Sequence, residues 1–128
     1  MKQFLIIICL SLLISSCGTS FQTTNWRNFN KSYSRKPDLT KIKYLGGNGS
    51  SIENAIIIKN AGNSENGIAS EYAYIEKHFG KRTIEWELIK QSIDEEDGKM
   101  YDVLRIQIIS DNQTEIIYFD ITDFYGKH

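Results

Sequence analysis

Ile84-Glu85-Trp86-Glu87-Leu88, Val103-Leu104-Arg105-Ile106-Gln107-Ile108 and Ile116-Ile117-Tyr118-Phe119-Asp120-Ile121 are the three runs whose reading decides the fold. In the first, Ile84, Trp86 and Leu88 alternate with Glu85 and Glu87. In the second, Leu104, Ile106 and Ile108 alternate with Val103, Arg105 and Gln107. In the third, Ile117, Phe119 and Ile121 alternate with Ile116, Tyr118 and Asp120. A period of two puts successive side chains on opposite faces, so each run reads as a strand with one covered face. The phase slips at Leu88-Ile89, which predicts a bulge before Ile93. Asp97-Gly98 is the strongest hairpin signal in the chain, and Asp111-Asn112 turns it again. Three alternating runs joined by tight turns predict an antiparallel meander.

Upstream, Ala55-Ile56-Ile57-Ile58-Lys59 is a short β-branched run closed by Asn60-Ala61-Gly62-Asn63, and it reads as another strand. Between the two regions lies a helical period. Ile68, Tyr72, Ile75 and Phe79 form one apolar stripe, with Ser64 or Asn66 as candidate caps. Glu65 and Glu71 suit the positive end of that helix, and Lys77 and His78 the negative end. Gly80 stands where a C′ glycine belongs. The expected fold is therefore α+β in two layers, order β-α-β-β-β, with one helix on a three- to four-stranded antiparallel sheet. Residues 51–128 form this domain.

The N-terminus carries a different message. Lys2 precedes an apolar run from Phe4 to Ile14, too short for the roughly 20 residues a membrane-spanning helix needs. The run ends in Ile14-Ser15-Ser16-Cys17. A positive start, a short apolar segment and small residues mark a cleaved signal. The last four residues resemble the lipobox of a bacterial lipoprotein. That resemblance implies residues 1–16 as a signal peptide, Cys17 as the lipidation site and mature N-terminus, and attachment to a membrane through lipid. It also implies a cell-envelope location, and the lack of acidic residues in Gly18-Thr19-Ser20-Phe21-Gln22 favours the periplasm-facing side. Cys9 leaves with the signal, so neither a disulfide nor a cysteine zinc site is open to the domain.

Residues 17–50 show no period and end in Gly46-Gly47-Asn48-Gly49-Ser50, so they read as a flexible tether reaching about 30–35 Å. Between Phe21 and Ser50 six Lys/Arg face one Asp, whereas from Ser51 onward eight Lys/Arg face fifteen Asp/Glu. A formal net charge of −1 thus conceals a basic tether and an acidic domain. Trp26, Phe29 and Tyr33 interleave with the basic residues and suit either a lipid interface or a solvated linker whose aromatics pack on the domain. Basic and aromatic residues together also suit nucleic acid, against which the envelope location implied by the lipobox resemblance argues. From Ser51 through Glu71-Tyr72, Gly98-Lys99-Met100-Tyr101-Asp102 and Tyr118-Phe119-Asp120-Ile121 to Tyr125-Gly126-Lys127, the domain resembles a group of small uncharacterised bacterial proteins. No activity follows from that resemblance.

Catalytic, cofactor and metal patterns are missing from the sequence. His78 and His128 have no H-E-x-x-H partner, no G-x-S-x-G occurs, and Gly46–Ser51 lacks the Gly-Lys-Ser/Thr of a phosphate loop. With Gly98 at position six of a calcium loop, positions one and twelve would be Ile93 and Leu104, which excludes an EF-hand. Glu85 and Glu87 on one strand face read as a wet side rather than an acid/base pair. The uncovered sheet face, bearing Glu85, Glu87, Tyr101, Val103, Arg105, Ile116 and Tyr118, mixes aromatics with charges as protein contacts do. The expected function is non-enzymatic binding of an envelope protein. The alternatives are an inhibitor or immunity role against a basic toxin or hydrolase, and a small-ligand carrier or enzyme with a pocket around Tyr72 and Trp86. Cells fed labelled palmitate should incorporate it into the wild-type chain and not into Cys17→Ala, and the mature mass should begin at Cys17. Retention of residues 1–16 would remove the anchor.

Overall fold

The computed structural model describes residues 36–128. Cys17, the signal segment and residues 17–35 of the expected tether lie outside the described residues. Five strands and one long helix follow in chain order: β1 (Lys43–Gly46), β2 (Ile56–Lys59), α1 (Ser64–Phe79), β3 (Trp86–Glu96), β4 (Lys99–Ile108) and β5 (Thr114–Asp120). The strands form one sheet in the order β1-β2-β5-β4-β3. No helix among the described residues is long and apolar enough to cross a membrane.

The class is α+β, as expected, but the sheet is five-stranded and mixed rather than three- to four-stranded and antiparallel. Two pairings make the difference. β2 lies parallel to β5, with Ile56 opposite Phe119 and Ile57 opposite Asp120. β1 comes from within the segment read as tether and pairs antiparallel with β2, from Lys43↔Lys59 to Gly46↔Ile56. The glycine-rich stretch after it is a tight connection: Gly47 N–H donates to Ala55 O, Gly49 N–H to Asn54 O, and Tyr118 N–H to Gly49 O. Gly49 sits at φ +82°, and a Cβ there would stand 2.7 Å from Ile56 Cδ1. Its glycine is thus a packing requirement.

The β3–β4–β5 meander follows its alternation. β3 and β4 meet through Asp97-Gly98, both at positive φ, with Glu96 opposite Lys99. The register shifts between Leu88 and Lys90, the bulge that the sequence predicts. Leu104, Ile106, Ile117, Phe119 and Ile121 are buried, with Trp86, Ile56, Ile58 and Ile75 completing the core between sheet and helix. Trp86 is fully buried and satisfies its indole by donating to Gly80 O at 2.8 Å.

The helix starts and stops near where its sequence signals place it. The cap is Asn63, whose side chain accepts from Asn66 N–H at 2.8 Å, rather than Ser64 or Asn66. Ser64 Oγ instead donates to Phe124 O. Gly80, at φ +91°, closes the other end through its N–H to Glu76 O. The covered stripe is rotated from the expected one. Ile68 is exposed, while Gly67, Ser70, Glu71 and Ile75 face inward.

Two contacts cause the rotation. The Phe124 ring occupies the place a side chain at position 67 would take, and Glu71 meets Asp102 of β4. Gly67→Ala would gain about 1 kcal/mol of helix propensity yet force the buried Phe124 ring aside, at a cost of roughly 1–3 kcal/mol or more. Urea unfolding should show Gly67→Ala to be less stable than wild type; a stabilised variant would mean that the ring does not pack there.

Candidate functional site

The register of the three long strands sets side chains on the open face in rows. Because Leu104 and Ile106 point into the core, Val103, Arg105 and Gln107 point away from it. Glu87 stands opposite Gln107, Lys90 opposite Arg105, and Ser92 opposite Val103. On the other side of β4, Thr114 stands opposite Gln107, Ile116 opposite Arg105, and Tyr118 opposite Val103. Asp94, Tyr101 and Asp120 make a fourth row. Lys90, Ser92, Val103, Arg105, Ile116 and Tyr118 line a shallow depression of about 110 Å³ at the centre.

The structure therefore gathers Glu87, Arg105 and Tyr118 on the predicted face, with Val103 and Ile116 beside them. Tyr101 shares the face but is only 6% exposed, so it supports the surface more than it offers contact. Glu85 does not belong there. β3 begins at Trp86, and residues 81–85 form a turn in which Glu85 N–H donates to Lys81 O. The Glu85 carboxylate folds back to accept from Lys81 N–H at 2.6 Å. Alternation stops before residue 85, which also leaves Ile84 62% exposed. Sequence reasoning missed Lys90 and Ser92, although the signal was present: carrying the phase change at Leu88-Ile89 forward puts both on the open face.

Electrostatically, the centre of an acidic domain is a cationic spot. The ion pairs among the described residues are Lys59–Asp123 at 3.5 Å and Lys99–Asp120 at 3.6 Å. Neither Lys90 nor Arg105 has a carboxylate within 4 Å among the described residues, and each faces the other across the strand pair. Like charges directly opposite destabilise a sheet.

Below the sheet lies a second group of ionisable residues. Glu71 is fully buried and Asp102 is 2% exposed. Apart from one another, neither the Glu71 oxygens nor Asp102 Oδ1 has a hydrogen-bond partner. Gln91 Nε2–H donates to Asp102 Oδ2, and Tyr72 O–H donates to Gln91 Oε1 at 3.3 Å. Desolvation, then the Asp102 charge and then the hydrogen bond with Asp102, push the Glu71 pKa up to about 10. Burial also raises Asp102, opposed by hydrogen bonds from Glu71, Gln91 and the Val103 backbone. Glu71 thus keeps its proton at neutral pH and donates it to Asp102. Sealed from solvent, the pair holds the helix to the sheet.

Around Tyr72 and Trp86, where the alternative reading places a ligand pocket, aromatic rings pack together. The two rings stack at 6.2 Å, and Arg82 lies 4.8 Å from the centre of the Tyr72 ring. A larger cleft of about 550 Å³ opens elsewhere, between the 48–50 loop, the end of α1 and β5, with Tyr74, His78, Phe79 and Glu115 on its walls. His78 stacks on Tyr74 at 4.1 Å and its Nδ1–H donates to Tyr74 O, an anchoring role at the helix end. No cluster of three or more metal-ligating side chains occurs among the described residues. Comparison with protein-family models, with curated proteins and with solved structures returned no match.

The Glu71 proton has a thermodynamic signature. Its folded pKa lies above the ordinary glutamate value of 4.5, so folding takes up a proton. The stabilisation is complete below about pH 4.5 and declines as pH rises toward 10. In urea titrations, Glu71→Gln should gain on wild type with rising pH, by up to about 1.4 kcal/mol per unit between pH 5 and 9. Parallel pH profiles for the two proteins would show that Glu71 is ionised in the fold.

Proposed function

We propose that this chain is a lipid-anchored envelope protein that acts without catalysis, docking a partner protein on the open face of its sheet. The observation that carries the reading is the central depression, where Arg105 and Lys90 adjoin Val103, Ile116 and Tyr118. Arginine and tyrosine are enriched at interface cores because each offers a rigid, extended contact together with hydrogen-bonding groups. The lipobox at Ile14-Ser15-Ser16-Cys17 supports the anchor, and the acidic hairpin Asp94-Glu95-Glu96-Asp97 supplies a charged rim next to the face.

Size sets the character of the docking. Four rows across three strands cover roughly 350 Å² at ordinary sheet spacings. A standard interface takes about 800 Å² from each partner. The partner therefore extends beyond the face onto the hairpin, or the contact is transient. An inhibitor or immunity role against a basic protein fits the hairpin better than the face, whose centre is cationic.

A photo-crosslinking amino acid in place of Ser92, in the full-length protein in cells, should give a reproducible protein adduct. The same probe in place of Lys77, exposed on the helix, should not. Equal labelling from both positions, or none from Ser92, would sink the reading.

A further inference from the structure

We infer that the partner presents an acidic side chain with an apolar neighbour to Lys90 and Arg105. This rests on the docking reading above and specifies what the face recognises. Lys90 and Arg105 are Cα partners on adjacent antiparallel strands, with side chains on one face. Cβ atoms in such a pair stand about 4.5–5.5 Å apart. The two like charges thus share one part of the face, and no carboxylate among the described residues lies within 4 Å of either. A carboxylate above them gains two charge-assisted contacts, one of them the bidentate fork that only arginine offers.

Protection of a sheet edge by a lysine is a familiar device. It accounts for Lys90 on the outer strand β3. It does not account for Arg105, which stands on β4 with a strand on each side. The apolar neighbour follows from the same rows: Ile116 completes the Lys90–Arg105 row, and Val103 and Tyr118 fill the next, with the Ser92 hydroxyl at its edge.

The surrounding charges favour a protein over a lipid surface. Glu87 lies in the row on one side of the cations, and Asp94 and Asp120 lie two rows away on the other. Rows on one face are about 7 Å apart, close to the Debye length of about 8 Å at physiological salt. A continuous layer of phosphates would bring anions over Glu87 and Asp94 as well as over the cations. A single carboxylate set among basic residues meets the whole pattern.

The Ser92 photo-crosslink tests this in the full-length protein. Lys90→Glu with Arg105→Glu should lower the adduct yield tenfold or more, while circular dichroism shows an unchanged fold. Mass spectrometry should map the adduct to a partner segment containing Asp or Glu beside an apolar residue. Reversing that acid to Lys in the partner should restore the adduct with the doubly reversed face. An adduct that persists through the double reversal overturns the carboxylate and leaves the docking face standing. Adducts to phospholipid overturn it in favour of a headgroup phosphate. If even the wild-type face gives no adduct, the docking reading falls and takes the inference with it.

Discussion

A single proton between Glu71 and Asp102 is what lets the helix lie on this sheet. Both carboxyl groups are buried, no cation is paired with either among the described residues, and two ionised carboxylates in that position would repel in a medium that screens poorly. With the proton on Glu71, one carboxyl donates and the other accepts. Gln91 satisfies the second Asp102 oxygen and passes the chain of hydrogen bonds to Tyr72 at the surface. The Gly67–Phe124 contact lies one helical turn away and closes the other end of the same stripe. Between them these two contacts set the rotation of the helix, and hence which of its residues are covered.

β4 ties that interior to the outer face. Asp102, Leu104 and Ile106 point to the helix, and Tyr101, Val103 and Arg105 point away, so anything that shifts the strand shifts both. On β3 the bulge after Leu88 matters as much. It changes the phase so that Lys90 stands on the open face opposite Arg105 instead of facing the core. One inserted residue in an edge strand thereby assembles the cationic pair and opens the depression beside Val103, Ile116 and Tyr118. The reversal of expectation about charge has the same origin. Four of the domain's acids cluster at the Asp94–Asp97 hairpin, and the geometry of pairing places two of its cations at the centre of the face.

How far the sequence went differs from element to element, for local reasons. The meander was legible because alternation, the Asp97-Gly98 turn and the slip at Leu88-Ile89 are all written within a few residues. The helix was legible through its period and Gly80. Its buried side was not, because the inward residues are a glycine, a serine and a glutamate, which hydropathy assigns to water. Of the open-face residues, Glu87, Arg105 and Tyr118 were found by simple alternation. Glu85 was misplaced because its turn precedes the strand, and Lys90 was overlooked because its face depends on the bulge.

By itself, then, the sequence determined an α+β class for residues 51–128, with one helix and three alternating strands there, and the turns that join them. Tertiary structure alone decided that β1 joins the sheet, that β2 runs parallel to β5, and that Glu71 goes inside as a neutral acid. Each of these depends on a partner distant in the chain. Lys43-Tyr44-Leu45-Gly46 has no alternation of its own to announce a strand, and becomes one only where β2 offers a free edge. A glutamate becomes a core residue only where an aspartate some thirty positions later shares its proton.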